Sequence, residues 1–332
     1  SDLDIKHRSF DNKNSFVAGP TGTGKSLLVQ HIIDYYINKK NKVIVLDKGE
    51  SYLKLCRYHN GSSLTGKLNF LKFKKPQYLT DLVLEFAGRD EFNKVQKGEL
   101  YSHIKEGILN NTFNTHEDFI GYLELKFPKI RFYFSDVLDF FTDQEDDSLS
   151  SEFIYCEMKN FVGKMKAPVI LYLFQYFEHF KGDVIFVFEE IHNYLLTTPD
   201  SIVGTISREI RKEGGALIAV TQSVNDIDIY PLLNVLWDNS EHKFIFKHNT
   251  DPDPKYLNGY ERELFLTMSD NSLKNLNDTN NEKKKFSQFL IKSNQIKKYV
   301  ALILWFIITL VISSNFMLYF IPPEDFFVYI QN

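Results

Sequence analysis

The chain has 332 residues, of which 43% are hydrophobic, and its formal net charge is −4. This length and apolar content are enough to bury one large core or two ordinary ones, so disorder of the whole chain is excluded. The acidic balance also excludes a global basic field that would hold a polyanion by counterion release, so any nucleic acid would have to bind locally.

The two cysteines and the first residues concern the cellular compartment. Cys56 and Cys156 match no zinc or redox spacing, and we expect both to be buried core residues in a reducing compartment. The chain opens on Ser1 and continues with polar residues. We therefore expect that it has no signal peptide, that it faces the cytosol and that it is part of a longer protein.

Residues 14–50 have the pattern of strand, glycine-rich loop, helix and strand. The first predicted strand covers residues 15–18, the helix covers 27–37, and the second strand covers 43–47. The second strand is a continuous apolar run, which is typical of parallel strands that are covered on both faces. The pattern predicts a βαβ unit within a doubly wound, mostly parallel α/β sheet.

The loop between the first strand and the helix has the spacing of a phosphate-binding P-loop. Its residues are Gly19, Pro20, Thr21, Gly22, Thr23, Gly24, Lys25 and Ser26. Glycines let backbone N–H groups converge on phosphates, Lys25 adds a charge for the β- and γ-phosphates, and Ser26 offers a hydroxyl to Mg²⁺. Its position between a strand and a helix favours this interpretation over a plain glycine-rich turn, so the sequence predicts hydrolysis of a nucleoside triphosphate.

Two acidic residues follow the buried strand predicted over residues 184–188. A P-loop needs one carboxylate to hold the water shell of the metal ion and a second to orient the attacking water. Glu189 is the candidate for the metal, together with Ser26, and Glu190 is the candidate for the water. The alternative is a pair of solvated carboxylates at the start of a helix. His192 comes next, has no second ligand at metal spacing and is predicted to be structural.

Further candidates lie around the strand predicted over residues 216–221. Gln222 follows this strand at the carboxyl edge of the sheet, where it could sense the γ-phosphate or position water; the alternative is a cap for the next helix. Arg208, Arg211 and Lys212 precede the strand at helical spacing, so their side chains would share one face. Arg208 or Arg211 could act as an arginine finger in a neighbouring subunit, or the face could simply be solvated.

Five segments are expected along the chain. They are the first part of the nucleotide-binding core over residues 1–75, a helical insertion over 76–150, the second part of the core over 151–250, C-terminal strands or a helix over 251–298, and an apolar tail over 299–323. The tail has no charged residue and is long enough for a membrane-spanning helix, with lysines before it that would place the preceding domain on the cytoplasmic side. In the alternative interpretation, residues 286–291 and 299–304 form a hairpin.

Three segments carry a likeness to a known family. They are the P-loop, the Asp-Lys-Gly-Glu-Ser-Tyr sequence at 47–52 and the Arg-Lys-Glu-Gly-Gly sequence at 211–215, which leads into Val-Thr-Gln-Ser-Val-Asn-Asp at 220–226. Together they resemble the TraC-type ATPases of bacterial type IV secretion and conjugative transfer systems, over roughly residues 10–300. Glu189 departs from the family pattern, which has Asp at this position.

The resemblance implies a RecA-like core in a hexameric or dimeric motor at the cytoplasmic face of the bacterial inner membrane. Such a motor works with other secretion components and powers pilus assembly or substrate transfer. The implied ligands are ATP and Mg²⁺, held by Lys25 and Ser26, with Glu190 as the catalytic carboxylate and Arg208 or Arg211 acting across a subunit boundary. No guanine-reading Asn/Thr-Lys-x-Asp motif is present, which also favours ATP.

Two other functions fit the same residues. One is a DNA-pumping hexamer of the coupling-protein or HerA/FtsK kind, although the overall charge does not indicate DNA binding. The other is a scaffold that binds nucleotide without hydrolysing it.

Overall fold

The computed structural model describes residues 13–64, 66–144, 147–161, 163–179, 183–193, 202–210, 214–248, 252–268, 285–293, 300–306 and 328–329. The chain divides into two compact units. The first comprises Ser1–Ile32, Phe188–Arg211 and Ala216–Asn332, and the second comprises Ile33–Val187 and Lys212–Gly215.

Both units contain strands and helices. The strands are β1 Ser15–Ala18, β2 Lys42–Asp47, β3 Ser62–Leu64, β4 Phe153–Glu157, β5 Val184–Phe188, β6 Ala216–Thr221, β7 His242–Phe246, β8 Lys285–Ser293, β9 Val300–Phe306 and β10 Val328–Tyr329. The α-helices are α1 Lys25–Asn38, α2 Leu53–Tyr58, α3 Pro76–Ala87, α4 Lys94–Leu109, α5 His116–Glu124, α6 Ile130–Phe134, α7 Lys166–His179, α8 Ile202–Glu209, α9 Asp226–Ile229, α10 Pro231–Asn239 and α11 Gly259–Thr267. Short 3-10 helices occupy Phe70–Lys72, Arg89–Glu91, Leu138–Phe140, Asp147–Ser150, Met158–Asn160, Gly163–Met165 and Ile191–Asn193.

In the first unit, β1 lies between β6 and β7 and pairs in parallel with both. Strand β7 then pairs antiparallel with β8, β8 with β9 and β9 with β10, which gives the order β10-β9-β8-β7-β1-β6. Because β1, β6 and β7 are parallel, their carboxyl ends meet at one edge, and the loop that follows β1 begins there.

A buried asparagine ties this parallel group together at its amino end. Asn14 is 2% exposed and its side-chain carbonyl accepts the backbone N–H of Leu217 at 2.9 Å. Its amide group donates to the carbonyl oxygen of Ser207 at 3.2 Å, at the end of α8. Buried polar groups are costly unless they are hydrogen-bonded, and Asn14 satisfies one backbone group of β6 and one of α8.

In the second unit the strand order is β5-β2-β4-β3, and β4 pairs in parallel with both β2 and β3. Strand β4 was not predicted from the sequence. All five residues of β4 are buried, but Tyr155 and Glu157 interrupt the apolar run that is seen in β5. The prediction that both cysteines are buried is confirmed.

The Asp-Lys-Gly-Glu-Ser-Tyr motif forms a turn directly after β2. Asp47 is 1% exposed, and its carboxylate accepts the backbone N–H groups of Gly49 at 2.9 Å and Ser51 at 2.7 Å. Burial raises the pKa of Asp47, while these backbone hydrogen bonds lower it. The hydroxyl of Tyr155 donates to Glu157 at 2.8 Å and lies 3.5 Å from Asp47. In this structure the motif organises its own loop.

Helices α3 to α6 lie where helical spacing was read from the sequence. Capping boxes start α4, between Asn93 and Gln96, and α5, between Thr115 and Asp118. Each box satisfies backbone N–H groups that the first helical turn leaves unpaired. The helices pack around edge-to-face and tilted aromatic rings, which are those of Phe70, Phe86, Phe134 and Phe141.

The C-terminal apolar segment is a strand as far as the structure describes it. Residues 300–306 pair antiparallel with β8, so the hairpin interpretation agrees with the structure and a membrane helix over 299–323 is wrong for these residues. Residues 307–323 lie outside the described part of the chain. Within the described ranges, none of the helices has the length and apolarity needed to cross a membrane.

Candidate functional site

The P-loop lies at the carboxyl end of β1, inside the first unit. The backbone N–H of Gly19 donates to the carbonyl oxygen of Thr221 at 3.2 Å, which fastens the loop to the end of β6. Gly22 and Gly24 adopt positive φ values of 85° and 101°, which favour glycine. A Cβ atom on Gly19 would lie 2.5 Å from Cβ of Phe246. Each of these glycines is therefore needed for the loop conformation.

Lys25 is buried beside this loop. Its side chain is 6% exposed, and its ammonium donates to the carbonyl oxygen of Pro20 at 3.0 Å. Burial lowers the pKa of Lys25, and the carboxylates of Glu189, Glu190 and Asp226 act in the opposite direction. Within the described residues, the ammonium of Lys25 donates to a neutral carbonyl group. An anionic phosphate would stabilise this buried positive charge more strongly.

Glu189 and Ser26, the two predicted magnesium ligands, are brought together. Glu189 follows β5 and is 6% exposed, and the hydroxyl of Ser26 at the start of α1 donates to its Oε1 atom at 3.4 Å. A hydroxyl and a carboxylate are oxygen ligands of the kind that Mg²⁺ prefers. The residues present therefore fit the ion, and the longer side chain of Glu189 still reaches the P-loop helix.

Glu190 lies next to this pair and is held by two amide side chains. Nε2 of Gln222 donates to Oε1 of Glu190 at 2.9 Å, so the structure brings these two predicted residues into contact. Nδ2 of Asn193 donates to Oε2 of Glu190 at 3.0 Å. Asn193 was not among the residues predicted from the sequence. The signal that could have found it is an amide residue three positions after a carboxylate that follows a strand, which is typical of a turn.

The loop that carries Gln222 is ordered by two further residues that the sequence analysis missed. One carboxylate oxygen of Asp226 accepts the hydroxyl of Thr221 at 2.6 Å and the backbone N–H of Ser223 at 2.9 Å. Nε2 of His248 accepts the backbone N–H of Val224 at 3.0 Å. The spacing of Asp226 from Ser223 is typical of a turn and could have revealed its role from the sequence. His248 is distant in sequence from the loop, and no sequence pattern points to it.

His248 makes this loop sensitive to acid. It is 3% exposed, and burial lowers its pKa, although the charge of Asp226 acts against this. In the unfolded chain a histidine becomes protonated below pH about 6.5, whereas in the fold this one stays neutral to lower pH. Its contribution to the free energy of unfolding is therefore fully present above pH about 6.5 and is lost as the pH falls. We expect His248→Gln, which keeps the acceptor for Val224, to remove up to about 1.4 kcal/mol per pH unit from the slope.

The measurement is urea denaturation of wild type and His248→Gln at several pH values between about 5 and 7.5, chosen around the unfolded histidine pKa. His116 and His242 also have pKa values lowered by burial and contribute to the wild-type slope, so the difference between the two proteins isolates His248. Equal slopes in the two proteins would contradict the prediction.

The predicted basic face is described only in part. Arg208 lies on α8 with its side chain exposed, and α8 ends at Glu209. Arg211 and Lys212 lie outside the described residues. In the described ranges, Arg208 is not among the residues that hydrogen-bond to the P-loop or to Glu189 and Glu190. His192 stacks on Tyr230 at 6.1 Å between ring centroids, a packing contact.

A β-strand, a P-loop with left-handed glycines, a buried lysine and a carboxylate that contacts the P-loop serine define the class of this protein. These features are those of a P-loop nucleotide-binding protein with an α/β fold of mostly parallel strands. Residues 1–96 match the model of the TraG P-loop domain family. This match confirms the predicted resemblance to P-loop ATPases of type IV secretion and conjugation systems, although TraC-type was a narrower name than the matched family.

Solved structures that are similar to this chain come from several systems. VirB4 of Thermoanaerobacter pseudethanolicus is 17% identical and superposes with a TM-score of 0.65 over 90% of this chain and 91% of that one. The plasmid coupling protein TrwB, in complex with a non-hydrolysable GTP analogue, is 15% identical with a TM-score of 0.50 over 88% of this chain and 82% of that one. The genome packaging NTPase B204 from Sulfolobus turreted icosahedral virus 2 is 14% identical with a TM-score of 0.44, over 88% and 97%. No curated protein matches the sequence.

Proposed function

We propose that this chain is an ATP-hydrolysing motor subunit of a type IV secretion or conjugation system. The observation that carries the proposal is the contact between Ser26 and Glu189, 3.4 Å apart, which unites the P-loop with the carboxyl end of β5. A nucleotide-binding loop alone would hold phosphate, whereas hydrolysis also requires carboxylates at this position. The TraG P-loop match and the VirB4-like fold support the assignment to secretion.

Binding of the nucleotide rests on the loop and on Lys25. The N–H groups of the loop and the dipole of α1 attract the phosphates, and the ammonium of Lys25 pairs with them. Ser26 and Glu189 would hold Mg²⁺, and the ion would neutralise phosphate charge. The nucleotide is ATP by resemblance, and the sequence contains no guanine-reading Asn/Thr-Lys-x-Asp motif.

Hydrolysis is assigned to Glu190 and Gln222. Glu190 follows the metal-binding carboxylate, so its own carboxylate is available to orient a water molecule and accept its proton as the γ-phosphoryl group leaves ADP. Gln222 contacts Glu190 from the end of β6 and can report the presence of the γ-phosphate to that carboxylate. The exposed Arg208, or Arg211, would complete the site of a neighbouring subunit in a hexamer or dimer, at the cytoplasmic face of the bacterial inner membrane with other secretion components.

The test is ATP hydrolysis by the purified chain, with and without single- and double-stranded DNA. We expect hydrolysis that requires Mg²⁺ and does not change with either DNA, because the net charge of −4 provides no general field for a polyanion. Strong stimulation by DNA would replace this proposal with a DNA-pumping motor of the coupling-protein or HerA/FtsK kind. Tight nucleotide binding without any hydrolysis would replace it with a scaffold.

A further inference from the structure

Both carboxylate oxygens of Glu190 are occupied by side-chain amides. Oε1 accepts from Gln222 at 2.9 Å and Oε2 accepts from Asn193 at 3.0 Å. A carboxylate can only accept, so in both contacts the amide nitrogen must face Glu190. The direction of this carboxylate is therefore set by two donors, one three residues away in the same turn and one in the loop that follows β6.

Asn193 also holds the backbone of Glu190. The backbone N–H of Asn193 donates to the carbonyl oxygen of Glu190 at 2.8 Å. Asn193 therefore hydrogen-bonds to both the main chain and the side chain of the same glutamate. Glu190 has a φ of 48°, in the left-handed region that is strained for residues other than glycine. Such a conformation persists only where surrounding contacts hold it, and Asn193 supplies two of them.

The turn that carries Asn193 is itself anchored. Ile191 is fully buried, and the ring of His192 stacks on Tyr230 in the first unit. By contrast, Gln222 is exposed and reaches Glu190 with a longer side chain. A short side chain on an anchored turn is the more rigid of the two supports, and Gln222 is the one that can exchange partners.

We infer that Asn193 is a positioning residue, which holds the carboxylate of Glu190 in the direction needed to orient water. This inference rests on the proposed role of Glu190 in hydrolysis. Gln222 can leave Glu190 when a γ-phosphate is bound, whereas Asn193 keeps the carboxylate in place during that exchange. Loss of this hold misdirects the carboxylate without touching the groups that bind phosphate, which are Lys25, Ser26 and the P-loop backbone.

The experiment compares Asn193→Ala and Asn193→Asp with wild type. Asn193→Asp keeps the shape of the side chain but replaces the donor with a second carboxylate, so it separates donation from packing. We expect kcat to fall about 10- to 100-fold in both variants, with KM and nucleotide affinity little changed. In a Glu190→Gln background, Asn193→Ala should lower the remaining rate no further, because Asn193 acts through Glu190.

Several results would overturn the inference. One is a wild-type kcat in Asn193→Asp. Another is a faster rate in Asn193→Ala, which would mean that the contact slows hydrolysis. The third is a rise in KM in either variant that accounts for the whole fall in kcat/KM. Asn234→Ala is the matched control, since Asn234 is exposed on α10 of the same unit.

A second measurement does not depend on hydrolysis. With ¹⁵N-labelled asparagine and glutamine, the side-chain amide resonances of Asn193 and Gln222 should both shift in Glu190→Ala, whereas that of Asn234 should not. An unmoved Asn193 resonance would overturn the contact even in an active enzyme. If wild type binds nucleotide without hydrolysing it, the proposed function fails, and the resonance of Asn193 still decides whether the contact exists.

Discussion

Glu190→Gln is expected to lower the rate of ATP hydrolysis by roughly 10²- to 10⁴-fold, the usual contribution of a positioned general base. Glutamine has the size of glutamate, and its carbonyl oxygen can still accept a hydrogen bond from Asn193 or Gln222. It cannot take the proton of the attacking water. Steady-state phosphate release measures the rate, and titration with a fluorescent ATP analogue should give an affinity close to that of wild type.

Glu263→Gln is a suitable control for this variant, because Glu263 is exposed on α11 of the same unit. A wild-type rate in Glu190→Gln would remove Glu190 from the chemistry. If Glu189→Gln were also to bind nucleotide with unchanged affinity and to lose hydrolysis, the roles of the two carboxylates would be exchanged.

Lys25→Ala is expected to weaken nucleotide binding by roughly 10- to 100-fold, since a hydrogen bond to a charged group contributes about 1.5–3 kcal/mol. The same variant should not be less stable than wild type. Burial lowers the pKa of Lys25, which means that the fold without ligand disfavours its charge, and removing the ammonium removes that cost. Nucleotide titration and urea denaturation measure the two effects.

Lys25→Met tests whether shape matters, because methionine retains most of the length of the side chain without the charge. Lys54→Ala, an exposed lysine on α2, controls for general charge effects. Wild-type affinity in a folded Lys25→Ala protein would contradict the phosphate-binding role. Weak binding accompanied by a large loss of stability would show that Lys25 acts on the fold instead.

The parallel strands around the site were predictable because the apolar pattern that marks each of them lies within a few consecutive residues. A strand covered on both faces needs an unbroken apolar run, and β1, β5 and β6 were predicted at the residues where they occur. The P-loop was predictable for a similar reason, since Gly22 and Gly24 adopt backbone conformations that glycine favours.

Other elements depended on partners far along the chain. Strand β4 is buried because it lies between β2 and β3, although Tyr155 and Glu157 break its apolar pattern. The apolar run from Tyr299 fits either a membrane helix or a strand, and cross-strand pairing with β8 decides the matter for residues 300–306. Periodicity cannot separate these alternatives, because a uniformly apolar segment has no polar face.

The sequence by itself determined the class of this protein. The glycines, the lysine and the serine of the P-loop are close together in the chain, so their spacing along the sequence determines their arrangement in space. Only the tertiary structure decided how distant residues join that loop. Glu189 meets Ser26 across 163 positions, and Gln222 meets Glu190 across 32. His248, two residues after β7, supports the loop of Gln222. Such contacts arise because parallel strands bring their carboxyl ends to one edge, whatever their separation along the chain.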